Sequence, residues 1–161
     1  MFNLKIEFYL KLIFIISFVA IVTAFFIEYI LGYQPCNLCL IERIPYGISI
    51  VLITTIFILK KNEKFFVLLL VLTFIFSLSI SIYHFGIEQG FFQESIVCNI
   101  KSFSGDVTKE DLLKQLIEKT ISCKDVTFMI FGLSLTSINI VISLIFIITL
   151  TKTYTNYEKN R

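Results

Sequence analysis

The residues in this chain best suited to chemistry are its four cysteines. Two stand in the stretch Pro35-Cys36-Asn37-Leu38-Cys39-Leu40-Ile41-Glu42-Arg43, between two apolar runs. If the stretch is helical, Cys39 and Arg43 lie one turn apart on the same face. Cys36 lies three residues before Cys39 on that face, close enough to bond to it. A nearby guanidinium stabilises a thiolate and lowers a thiol pKa, which makes a cysteine reactive rather than inert. The stretch therefore reads as a redox centre at a membrane edge. Cys98 and Cys123 lie apart from it, in a long polar segment.

The elements that position these residues are set by composition. The chain has 161 residues, enough for one domain. It is 57% hydrophobic and only 16% charged, against roughly 25% charged in an average soluble domain. Mean hydropathy is +0.87. The apolar residues come in long uninterrupted runs, so the expected class is all-α, a polytopic membrane four-helix bundle. No basic patch interleaved with aromatics is present, which argues against nucleic acid as a partner.

In chain order, spans are expected at about 12–31, 38–59, 65–84 and 126–151. The extracytoplasmic loops fall at about 32–37 and 86–125, within a single membrane domain over 1–161. The first run is broken only by Ser17, Thr23 and Glu28, and its length matches a hydrocarbon core of roughly 30 Å. A cleaved signal peptide ending at Val22-Thr23-Ala24 is the rival reading. The apolar run continues past Ala24 for about two turns, which favours a retained span. Glu28 reads as an interfacial, solvated carboxylate. Pro45 is expected to kink the second helix near its start. Lys60-Lys61-Asn62-Glu63-Lys64 is short enough to make the second and third helices antiparallel neighbours. Ser77 and Ser81, and the series Gly132, Ser134, Thr136, Ser137 and Asn139, read as helix–helix contacts and interhelical hydrogen bonds. In the long loop, 106–119 reads as a short amphipathic helix with a capping box at Thr108 and Asp111.

Four spans put both termini on one side. That side carries eight basic residues against three acidic, a net of +5. The other side carries six basic against nine acidic, a net of −3. The positive-inside rule then places both termini in the cytoplasm. All four cysteines face outward, where disulfides persist. Three uses of those cysteines compete. Two structural disulfides are one, although a Cys36–Cys39 ring is too small to add much by loop entropy. A four-cysteine zinc site is the second, with an atypical spacing between Cys98 and Cys123. The third is two redox pairs in series, one at the membrane and one in the loop, exchanging electrons through mixed disulfides.

The residues resemble the disulfide bond formation protein B (DsbB) family. Pro35-Cys36-x-x-Cys39-x-x-Glu42-Arg43 is similar to its signature at the start of the second helix. Tyr83-His84-x-Gly86-x-Glu88 resembles a motif after its third helix, and Phe131-Gly132-Leu133-Ser134 the start of its fourth. Cys98 and Cys123 match its second extracytoplasmic pair. The vitamin K epoxide reductase family also combines four helices with such cysteines, but in the reverse order along the chain.

The resemblance implies a membrane thiol:quinone oxidoreductase of the bacterial inner membrane. Its implied partner is a periplasmic thioredoxin-fold oxidase like DsbA, which reduces Cys98–Cys123. Electrons then pass to Cys36–Cys39 and on to the membrane quinone pool, ubiquinone or menaquinone. Cys39 is implied as the thiolate at the quinone, with Arg43 stabilising negative charge there. His84 is a candidate contributor to the quinone site or to a proton. No metal is implied.

Overall fold

The computed structural model describes residues 4–59, 62–93, 98, 123–124, 129–130 and 132–159. The amphipathic helix expected at 106–119 lies outside them. Four long helices carry the fold: α1 (Leu4–Tyr29), α2 (Asn37–Leu59), α3 (Glu63–Glu88) and α4 (Leu135–Lys159). All four are long and apolar enough to cross a membrane. A two-stranded antiparallel hairpin, β1 (Met129–Ile130) with β2 (Leu133–Ser134), leads into α4.

Four helix ends differ most from the apolar runs, one of them the end of α4, which runs on to Lys159 rather than stopping near 151. α1 begins at Leu4 rather than near 12. Its first turns are charged, and Lys11 pairs with Glu7 one turn earlier at 2.6 Å. α3 continues past 84 to Glu88, which sets His84 and Glu88 one turn apart. α4 opens at Leu135, not 126. Gly132 takes a left-handed φ of +80°, which forms the hairpin turn and stops a helix from running through it. Ser134 then caps α4, its Oγ accepting from the Ser137 backbone N–H at 3.2 Å. α2 runs on through Pro45, near its start.

α1 packs on α2, α2 on α3, and α3 on α4, while α1 barely touches α4. The bundle is thus an open arc with a gap between its first and last helices. Its core is apolar at mid-height, around Ile53, Leu70, Phe74, Phe146 and Leu150. Phe74 and Phe146 meet edge-to-face with centroids 4.8 Å apart. Buried serines let the backbones approach. Ser49 donates to Ser17 at 3.0 Å, and Ser143 to Ser77 at 3.3 Å. The outer faces carry exposed Phe18, Val51, Phe76, Val141 and Ile148, as a lipid-facing surface requires.

Candidate active site at the cysteine end of the bundle

α2 begins at Asn37, immediately after Cys36. The Cys36 carbonyl accepts from the Leu40 backbone N–H at 3.2 Å. Its Sγ accepts from the Cys39 backbone N–H at 3.3 Å. A sulfur thus occupies the N-cap position, where orphan amides and the helix dipole favour an anion. Cys36 and Cys39 are free thiols with their sulfurs 2.7 Å apart. Cys98 and Cys123 form a disulfide, with Cα atoms 5.8 Å apart. That bond removes two of the thiolates a four-cysteine zinc site needs. Cys36, Cys98 and Cys123 are all buried in one cluster with Leu38 and Ile87. The chain therefore brings both cysteine pairs to one end of the bundle.

His84 stands behind the pair, 2% exposed. Its Nε2 lies 3.5 Å from Cys36 Sγ. Its Nδ1 lies 3.1 Å from Glu42 Oε1 and 3.2 Å from Thr136 Oγ1. The single hydroxyl proton of Thr136 goes to Glu88 Oε1 at 2.7 Å. Thr136 and the Glu42 carboxylate are then both acceptors toward the ring, which assigns the proton to Nδ1. In the neutral imidazole this leaves the Nε2 lone pair facing the Cys36 sulfur. Asn139 completes the network. Its Nδ2 donates to Glu42 Oε2 at 3.2 Å and to Ser81 Oγ at 2.7 Å, and its Oδ1 accepts from the Tyr46 hydroxyl.

The Cys36 thiol is pulled down from 9.0 to about 5. The hydrogen bond from the Cys39 thiol contributes most; burial opposes it, and His84 and the Cys39 backbone N–H reinforce it. Because the pKa lies below an unperturbed thiol near 8.5, the thiolate persists at neutral pH and is lost only as pH falls through the lowered value. The thiolate ultraviolet absorbance of the reduced protein is expected to titrate with a midpoint near 5. In His84→Asn the midpoint moves upward, because one of the stabilising partners is gone. A midpoint above 8 in the parent would contradict the assignment.

Arg43 makes its ion pair with Glu28, its Nη1 donating to Oε2 at 2.5 Å. It also sits over the Phe25 ring, 5.4 Å from the centroid. Glu28 is therefore not the solvated carboxylate its sequence position suggests. It ties α1 to α2 and holds the guanidinium in place.

A cavity of about 320 Å³ fills the gap between α1 and α4, within the usual ~300–1,000 Å³ of small-molecule sites. Ile16, Ala20, Ala24 and Ile27 wall it from α1, and Leu135, Thr136, Asn139 and Ile142 from α4. α2 contributes Cys39, Glu42, Arg43 and Tyr46. Cys39 and Arg43 share a face, as their four-residue spacing predicts. Cys36 and His84 do not line the cavity. His84, a candidate for the cofactor or for a proton, is turned toward Cys36 because Glu42 and Thr136 hold its ring. Thr136 and Asn139 read in the sequence as helix–helix contacts and interhelical hydrogen bonds; the structure gives them those bonds and a place in the cavity wall as well. The hint that they do more is that His84 and Glu88, and Cys39, Glu42 and Tyr46, recur at helical spacing and present polar faces at one level.

The family model for disulfide bond formation protein DsbB matches residues 7–152. The chain is also similar to the uncharacterized protein RP370 of Rickettsia prowazekii (strain Madrid E), with 32% identity over 137 residues, 84% of this chain and 80% of that protein. No solved structure matches it. A match over nearly the whole membrane bundle, on a site that unites both cysteine pairs, shows that the chain belongs to the DsbB family of disulfide-forming membrane oxidoreductases.

Proposed function

We propose that the protein is a thiol:quinone oxidoreductase of the bacterial inner membrane that re-oxidises a periplasmic, DsbA-like thioredoxin-fold oxidase. The observation that carries this reading is the division of labour between the two sulfurs of the Cys-x-x-Cys pair. Cys36 is buried in one cluster with Cys98 and Cys123, and Cys39 is the sulfur of the pair that lines the cavity. One sulfur is placed to exchange with the loop pair and the other to meet an oxidant.

In this reading a thiolate of the reduced partner attacks the Cys98–Cys123 disulfide. The partner's second thiol resolves the intermolecular disulfide and leaves two loop thiols. One loop thiolate then attacks Cys36 of an oxidised Cys36–Cys39 pair, and Cys39 departs as a thiolate. The second loop thiol attacks the mixed disulfide, restoring Cys98–Cys123 and leaving Cys36 and Cys39 reduced. The described arrangement, a loop disulfide beside two free thiols, corresponds to that state. His84 Nε2 is positioned to take the Cys36 proton.

The cavity fits a quinone. It is mostly apolar, with Ile16, Ala20 and Ile27 on α1 and Leu135 and Ile142 on α4, and it offers a thiol and a guanidinium at its polar end. Bound quinone supplies the two-electron oxidant. Arg43 would hold negative charge at that end, with its orientation fixed by Glu28 and Phe25. Cys39 would deliver the electron pair from its sulfur. Val19 and Leu135 at the walls are exposed, so entry from the lipid is sideways, between α1 and α4. By the charge asymmetry of the loops, both termini face the cytoplasm and the cysteines the periplasm.

The test is quinone reduction by the purified protein in detergent, supplied with a reduced thioredoxin-fold thiol oxidase and followed by quinone absorbance. Turnover with ubiquinone or menaquinone is expected. A folded sample that reduces neither would contradict the reading.

A further inference from the structure

We propose that Cys36, Cys39 and His84 form a zinc site that exists only while the Cys36–Cys39 pair is in its dithiol form. The three ligand atoms lie within 4.8 Å of one another. Tetrahedral zinc with Zn–S near 2.3 Å and Zn–N near 2.0 Å sets sulfur and nitrogen about 3.5 Å apart and two sulfurs about 3.7 Å apart. The Cys36 Sγ to His84 Nε2 separation is already 3.5 Å. The two sulfurs, at 2.7 Å, have only to part by about 1 Å to meet the tetrahedral spacing.

Two further observations point to a cation. First, the imidazole is set up as a zinc ligand. Glu42 and Thr136 accept from Nδ1–H, so Nε2 is the ring nitrogen that faces the sulfur. A carboxylate behind the ring is the usual outer partner of a zinc-bound histidine, fixing its tautomer and raising its basicity. Second, the site holds more acceptors than donors. Glu88 Oε1 lies 3.9 Å from His84 Nε2, and Glu88 Oε2 is buried with no hydrogen-bond partner among the described residues. A buried carboxylate with an unpartnered oxygen, next to the imidazole, is an environment a divalent cation would neutralise. Two sulfurs, one imidazole and a nearby oxygen suit zinc in preference to hard cations.

Binding displaces the Cys39 thiol proton and the proton shared between Cys36 and His84 Nε2, and changes no oxidation state. The disulfide form has no thiolates to offer and binds no metal. Zinc therefore traps the pair after electrons reach it and before they leave. That inhibition rests on the proposed quinone-linked activity; the binding itself does not.

The test uses the full chain in detergent with Cys98→Ser and Cys123→Ser, so that only the membrane-edge pair can ligate. Co2+ is the spectroscopic probe, displaced afterwards by Zn2+. The reduced protein is expected to bind one Co2+ per chain, with tetrahedral bands and sulfur-to-cobalt charge transfer of two-thiolate intensity. The disulfide form is expected to show neither. His84→Gln should weaken binding at least about tenfold, a loss no smaller than that of an outer-shell partner. The chain has a single histidine. One exchangeable, hyperfine-shifted imidazole N–H in the proton spectrum of the Co2+ form would therefore report His84 ligation without any variant at that position. A reduced protein that binds no Co2+, or a bound form with no such signal, would overturn the proposal. In the parent, Zn2+ should stop quinone reduction at the concentration that displaces Co2+. A parent without turnover would bear on the activity alone, because the binding spectra are read independently.

Discussion

Cys39→Ser is expected to abolish quinone reduction, with turnover falling by at least about a thousandfold, as loss of an essential nucleophile does. Cys39 is the sulfur of the pair that lines the cavity between α1 and α4. A serine there can neither carry the electron pair nor close a disulfide with Cys36. The variant should fold, because the replacement is nearly isosteric and the Cys36 sulfur still accepts from the residue 39 backbone N–H. Cys36 then has no partner within its own pair and stays in the buried cluster with Cys98 and Cys123. Under mild oxidation the variant should accumulate a disulfide between Cys36 and a loop cysteine, which peptide mapping under non-reducing conditions would detect. Residual turnover above about one hundredth of the parent would mean that the electrons leave by another sulfur.

The largest effect expected on stability is at Asn139. Its amide joins three helices: it donates to Glu42 on α2 and Ser81 on α3, and it accepts from the Tyr46 hydroxyl. Asn139→Leu keeps the volume close but leaves all three groups without that partner. Glu42 is the costly one, because a buried carboxylate loses a donor and keeps its charge. The expected loss is about 3 kcal/mol, since each buried group left unsatisfied costs roughly 1–3 kcal/mol and a charged one more. Ser143→Ala, by contrast, gives up a 3.3 Å hydroxyl contact to Ser77 and a contact to the Tyr46 hydroxyl, and leaves no charged group unpaired. It is expected to cost about 0.6 kcal/mol, the average for an interhelical hydrogen bond in a membrane protein. Unfolding in mixed micelles measures both. Equal losses for the two variants would show that the polar network at the cysteine end is not what holds α4 in place.

The bundle was legible in the sequence because apolar runs of spanning length leave few alternatives. The cysteine motif was legible because its spacing is local: Cys39 and Arg43 share a face in the structure as they do on a helical wheel. Interhelical contacts at Ser77, Ser81 and Asn139 are legible too; what the sequence does not reach is which residue on another helix each polar side chain meets. Glu28 and Arg43 are 15 positions apart and sit on different elements, so Glu28 read as a solvated end-of-helix carboxylate. His84 reads in the sequence as a contributor to the quinone site or to a proton, because it lies at the right depth, and the sequence does not choose between the two. The ring's orientation is decided by Glu42 and Thr136, 42 and 52 positions away. The start of α4 was misread for a different reason. The apolar run from 126 masks a turn, and the signals that break it were present: Gly132 as the turn residue and Ser134 as an N-cap.

In the proposed relay, electrons enter at the loop disulfide and leave from the membrane-edge pair. Quinone reduction by Cys98→Ser beside the parent, both driven by a reduced thioredoxin-fold thiol oxidase, tests it most directly. The account predicts steady turnover in the parent and none in Cys98→Ser, although Cys36, Cys39 and the cavity are intact in both. Turnover that survives Cys98→Ser would mean that the partner reduces the membrane-edge pair directly, and the two-pair relay would be contradicted.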